Sequence, residues 1–162
     1  MDNKKIAKIS MLLSLSVVLS LIESFIPLFT AIPGIKLGLA NIVIVFAIYE
    51  LSFKDALYIS ILRVILLGII RTGLFSINFF FSLSGALLSI IGMYLFKKTK
   101  MSIVGISIIG AIFHSIGQII IAILFLSNID IIYYLPFLLI SSVISGLIIG
   151  LTAKKVIEYY NN

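Results

Sequence analysis

The chain has no cysteine, three prolines, one histidine and six acidic residues among 162. Without cysteine there are no disulfides and no thiolate metal sites. One His and six scattered carboxylates leave little material for a metal centre. No Gly-rich Lys-Ser/Thr loop is present, so the chain does not itself use ATP by that route. Neither a His-Glu-x-x-His pair nor an Asp-rich Mg²⁺ site occurs. Serines are plentiful, but only His114 could serve one as a base, and no carboxylate sits predictably beside it. The expectation is a protein without catalytic residues, metal or cofactor. Charge of one sign is scarce too: six acidic groups face twelve basic ones, a formal net charge of +6. The cations are not interleaved with aromatics on a soluble face, so nucleic acid is not the expected partner.

What the chain does have is apolar surface. Hydrophobic residues make up 62% and charged ones 11%, with a mean hydropathy of +1.30. A soluble domain of this size could not bury that much, so the lipid bilayer is the expected solvent. The basic start followed by Ile9–Ile22 resembles a signal peptide, but four serines interrupt the run and no small-x-small cleavage site follows. It reads as a retained first helix. Hydropathy predicts six spans of the length needed to cross about 30 Å of hydrocarbon: Ile6–Leu28, Ile35–Ser52, Ala56–Arg71, Ser76–Phe96, Ser102–Leu126 and Ile131–Ala153. The linkers are short and no repeat is evident. The prediction is one all-α transmembrane domain, residues 1–162, folded as a six-helix bundle.

The lysines set its orientation. With six crossings, nine lysines (Lys4, Lys5, Lys8, Lys54, Lys97, Lys98, Lys100, Lys154 and Lys155) share one side, leaving Lys36 and Arg71 near the other. By the positive-inside rule both termini are cytoplasmic.

The stretch from Pro33 to Asn41 stands out between the first two spans. Pro33 and Gly34 cannot continue a helix, and Gly38 frames Lys36 on its other side. Non-helical backbone at membrane depth is tolerated where it is buried in protein or lines a cavity. The segment from Pro27 to Lys36 is therefore expected to cap a pocket; the alternative is an interfacial turn whose Lys36 snorkels to lipid phosphates.

Polar residues within the spans sharpen this. Small residues recur on helical faces, such as Ser16 and Ser20 in span one, Ser82, Gly85 and Ser89 in span four, and Ser142, Gly146 and Gly150 in span six. Close helix packing accounts for these. Glu23, Asn41, Arg63, Arg71, Asn78, His114 and Gln118 are different, because ionisable and amide groups facing lipid cost free energy. Arg63 falls near mid-bilayer and the others at or beyond it, on the outer side. Together with Lys36 they are the candidate lining of an outward-facing cavity for an anionic small molecule. The competing reading is an internal ion pair of Glu23 with Arg63 or Arg71.

The runs Glu23-Ser-Phe-Ile-Pro27 and Pro33-Gly-Ile-Lys-Leu-Gly-Leu-Ala-Asn41 resemble a bacterial membrane family. So do Arg63, Phe81-Ser-Leu-Ser-Gly-Ala86, Gly105–Ala111, His114-Ser-Ile-Gly-Gln118 and Tyr133-Tyr-Leu-Pro136. That family is known both as heptaprenyl diphosphate synthase component I and as Gx transporter. Ser115 stands where the family pattern has Asn. The family is similar to the substrate-binding S components of energy-coupling factor transporters. The resemblance implies a six-helix protein of a bacterial plasma membrane with an outward-facing pocket for a nutrient or cofactor precursor. It also implies a separate coupling subunit and ATPases, docked through small residues of the first helix, for which Ala7, Ser10 and Ser14 are the candidates.

The rival function is a non-transporting accessory subunit of isoprenoid or quinone synthesis, or of a flavin-linked membrane redox system. Polyprenyl synthases hold diphosphate through Mg²⁺ on Asp-Asp-rich motifs. Asp2, Asp55 and Asp130 are neither adjacent nor deep in a span, so the chain alone is not expected to ionise an allylic diphosphate.

Overall fold

Three helices of this protein begin on a serine. Ser52, Ser76 and Ser102 each hold extended backbone and accept a hydrogen bond from the amide three residues on, at Asp55, Phe79 and Gly105, all at 3.2 Å. Such caps satisfy amides that have no partner inside the helix. At Ser52 the box is complete, because the Asp55 carboxylate accepts from the Ser52 amide at 3.1 Å. In the computed structural model, which describes residues 3–26 and 37–162, the chain is all helical among those residues.

The elements are α1 (Asn3–Ser24), α2 (Asn41–Glu50), α3 (Phe53–Leu67) followed by a π turn (Gly68–Thr72), α4 (Ile77–Lys97) and α5 (Ile103–Leu126). A 3₁₀ turn (Ile129–Tyr134) then leads into α6 (Leu135–Asn161). Among the described residues four helical stretches are long and apolar enough to cross a membrane: α1, α4, α5 and Ile129–Asn161. The other two expected spans differ from their predicted outline. Of the span expected from Ile35, the described part begins at Leu37 and is helical from Asn41, as the ten-residue α2. Gly38 carries a φ of +77°, a conformation Gly takes at no steric cost and one that cannot belong to a right-handed helix. The span expected over Ala56–Arg71 is the fifteen-residue α3 running on into the five-residue π turn. The predicted cap between Pro27 and Lys36 lies outside the described residues, although α1 has ended by Ser24 and α2 has not begun before Asn41.

Small residues govern how closely α4, α5 and α6 pack. A Cβ added at Gly146 would lie 2.7 Å from the Ile108 Cα, and one at Gly150 2.7 Å from the Val104 Cα. At Gly117 it would meet the Ser84 carbonyl oxygen at 2.8 Å. Lipid gives helices no hydrophobic reason to associate, so backbone approach and dispersion supply the attraction. The apolar core draws on all six helices and includes Ile9, Ile44, Ile59, Ile90, Ile106 and Ala153. Outward faces carry Met11, Val18, Leu124, Phe137, Ile140 and Ile144, all exposed. That apolar exterior marks a membrane protein.

One end of the bundle is basic and tightly tied. Lys5 pairs with Asp55 at 2.9 Å. Lys8 donates to the Tyr160 hydroxyl at 2.9 Å, its ammonium over the Tyr160 ring. Lys97 caps the C-terminus of α2 through the Ile48 carbonyl at 2.6 Å, and the Asn161 amide donates to Glu50 at 3.2 Å. The start of α1 and the end of α6 therefore lie at the same end.

Candidate functional site

Helix α2 reaches Asn41 about 14 Å above the basic end, and α3 reaches Arg63 about 15 Å above it, at 1.5 Å per residue. The two side chains meet at that level, with Arg63 Nη1 donating to Asn41 Oδ1 at 3.3 Å. Arg63 is buried, with 7% of its surface exposed, and its Nε has no hydrogen-bond partner among the described residues.

Around this pair lies a cavity of about 300 Å³. Asn41, Arg63, His114 and Gln118 line it, and so do Glu23 and Arg71. The exposed residues Arg71 and Ile26 belong to its lining, so among the described residues its exposed edge is at the end opposite the lysine cluster. One residue expected in the cavity is not gathered there. Asn78 is exposed in the first turn of α4 and does not line the cavity. Lys36 lies outside the described residues. Ala7, Ser10 and Ser14 are exposed on α1, away from the cavity.

Arg71 reaches the lining by way of the π turn. Eight residues of regular helix would set it about 80° around the axis from Arg63, at 3.6 residues per turn. A π turn advances less per residue, which rotates Arg71 back toward the Arg63 face. Such insertions recur at functional sites. Nothing in the sequence signals this one beyond Gly68 and Gly73 at its borders.

The ion-pair reading of Glu23 gives way to a different arrangement. Its carboxylate accepts from the Gly38 amide at 2.5 Å and from the Leu39 amide at 2.9 Å. Among the described residues it makes no ion pair within 4 Å. One carboxylate thus fastens the end of α1 to the turn that starts α2. That turn positions Asn41, whose Nδ2 lies 3.1 Å from where a Gly38 Cβ would be.

Serines contribute more to the cavity than their packing role predicted. Ser82 and Ser89 of α4, Ser107 and Ser115 of α5, and Ser142 and Ser145 of α6 all line it. Ser115 and Ser142 share a 2.6 Å hydrogen bond, and Ser142 in turn donates to the Leu138 carbonyl. Ser89 Oγ is buried without a partner among the described residues. Glycines on the same faces make room: a Cβ at Gly85 would lie 2.7 Å from the His114 ring. The signal was legible in part, since Ser107 shares a helical face of α5 with His114 and Gln118, and Ser82 and Ser89 share one of α4, but Ser-Gly stripes also mark plain packing.

The arrangement can hold a small anion: one buried guanidinium, a second cation at the mouth, and amide, imidazole and hydroxyl groups between them. Among the described residues there is no group of three or more His, Asp or Glu side chains placed to hold a metal ion. No curated protein and no solved structure matches the chain. The family described as heptaprenyl diphosphate synthase component I matches residues 12–156, which takes in both halves of the Arg63 site and the helices that enclose it, and the chain belongs to that family.

Proposed function

We propose that this protein is the ligand-binding subunit of a transport system, of the energy-coupling factor S-component kind. It holds a small anionic nutrient or cofactor precursor and performs no catalysis itself. The observation that carries the reading is the convergence of Arg63, Asn41, His114 and Gln118 on one cavity whose exposed edge lies away from the lysine-rich end. Six crossings suit the arrangement, because α2 and α3 each have one end tied to the lysine cluster. With that cluster in the cytoplasm of a bacterial cell, both termini are cytoplasmic and the cavity opens outward. ATP hydrolysis then belongs to partner ATPases, reached through a coupling subunit docked on the Ala7, Ser10 and Ser14 face of α1.

The family's name suggests a second reading, an accessory subunit of prenyl diphosphate synthesis. Native mass spectrometry of gently extracted protein separates the two. The first reading expects a retained small molecule that is lost in Arg63→Ala while the variant remains folded. An empty wild-type protein that co-purifies with a soluble prenyl synthase subunit would favour the second.

A further inference from the structure

The proposal above leaves the ligand's chemistry open, and this inference rests on that proposal. A guanidinium presents its donors as planar forks, and each fork matches two oxygens of a carboxylate or phosphate. Asn41 takes Nη1 of Arg63, and Nε has no partner among the described residues. The fork of Nε with Nη2 is therefore the one that no protein group takes among the described residues. Ser89 Oγ is a second buried polar atom with no partner, on the α4 wall of the same cavity. Beyond them the lining continues with His114, Ser107 and Gln118. A hydrocarbon tail would leave the Arg63 fork and the Ser89 hydroxyl unpaired and desolvated, whereas a ligand rich in oxygen and nitrogen would satisfy them. The space is equivalent to about ten water molecules at about 30 Å³ each.

We infer that the Nε edge of Arg63 seats a planar or tetrahedral oxoanion, and that the ligand is polar along its whole length. It is a compact organic acid or phosphate ester, not a prenyl chain. Carboxylate and phosphate share this chemistry and are told apart by experiment.

The full-length protein in nanodiscs is unfolded thermally in chloride, acetate or phosphate at equal ionic strength, as wild type, Arg63→Gln and Arg63→Lys. Acetate, phosphate or both should raise the wild-type Tm by about 2–4 °C over chloride. That gain should vanish in Arg63→Gln and largely vanish in Arg63→Lys, which keeps the charge but not the fork. A response to acetate alone identifies a carboxylate, and one to phosphate alone a phosphate ester. Equal gains in wild type and Arg63→Gln, or no gain with either anion, overturn the inference. Should the variants not fold, phenylglyoxal labelling of wild type replaces them. Arg63 and Arg71 are the two arginines, so peptide mapping assigns each modified site; the anion should slow modification of Arg63 relative to chloride, and failure to protect it counts against the site. Geranyl diphosphate binding more than ten times tighter than inorganic diphosphate would overturn the polar-body claim. An Arg63-dependent anion effect in a protein that never retains a cellular ligand would sink the transport reading and leave the anion site standing.

Discussion

Replacing Glu23 with Gln should destabilise the protein even though the side chain lines a polar cavity. The carboxylate accepts two backbone hydrogen bonds, at 2.5 Å from Gly38 and 2.9 Å from Leu39. Hydrogen bonds to a charged group contribute about 1.5–3 kcal/mol each. A glutamine keeps one acceptor oxygen but turns an NH₂ donor toward the second amide, so one bond is lost and two donors face each other. The expected loss is roughly 2–3 kcal/mol, or about 4–12 °C in Tm for a chain of this size. Thermal unfolding in nanodiscs, followed by circular dichroism, measures it. The decisive comparison is a double-mutant cycle with Arg63→Ala. If Glu23 serves the backbone, the double variant should be about as unstable as the two losses together. If the carboxylate were instead there to neutralise Arg63, Glu23→Gln should restore stability to Arg63→Ala. Rescue of that kind would refute the backbone role.

Gly146→Ala and Gly150→Ala should each destabilise by about 1–3 kcal/mol, because the new methyl meets helix backbone that cannot move aside. Gly105→Ala faces the flexible Met101 tip at 3.1 Å and should be tolerated; equal Tm losses in all three would count against the close-packing argument. Gly85→Ala should push the His114 ring into the cavity, so native mass spectrometry should show ligand retention falling more than Tm does. Burial of Asp55 pushes its carboxyl up, but the Ser52 hydroxyl and amide and the Lys5 ammonium together hold it below the usual carboxylate range. A depressed folded value means its stabilisation is complete above the ordinary pKa, near 4, and is lost as pH falls through the lower folded value. The Tm advantage of wild type over Asp55→Asn should therefore be constant from about pH 7 to 5 and shrink below about pH 4; an advantage that disappears between pH 7 and 5 would contradict this. Asn162→Cys should resist an impermeant thiol reagent in intact cells, and labelling would overturn the cytoplasmic placement of the C-terminus.

The sequence by itself determined the solvent, the helices and much of the lining. A mean hydropathy of +1.30 admits only lipid as the surroundings, and in lipid every backbone amide must bond internally, which leaves helices. Ser52, Ser76 and Ser102 wrote three helix starts into the chain, because capping is a local interaction between a side chain and an amide three residues away. Arg63, Asn41, His114 and Gln118 could be singled out because polar groups at mid-span avoid lipid wherever the fold allows.

Tertiary structure alone decided what those groups do to one another. Glu23 and Gly38 are fifteen residues apart, and no local rule distinguishes a carboxylate that holds two amides from one that pairs with an arginine. The π turn that carries Arg71 into the cavity lining arises where Gly68 packs against Phe79 of α4, a contact made across helices. Whether a Ser-Gly stripe closes a helix interface or opens onto a cavity depends on what stands opposite. Gly150 meets α5 backbone at Val104, while Ser145 of the same helix lines the cavity. Helical periodicity places a residue on a face, and only the packing of the neighbouring helices determines what that face meets.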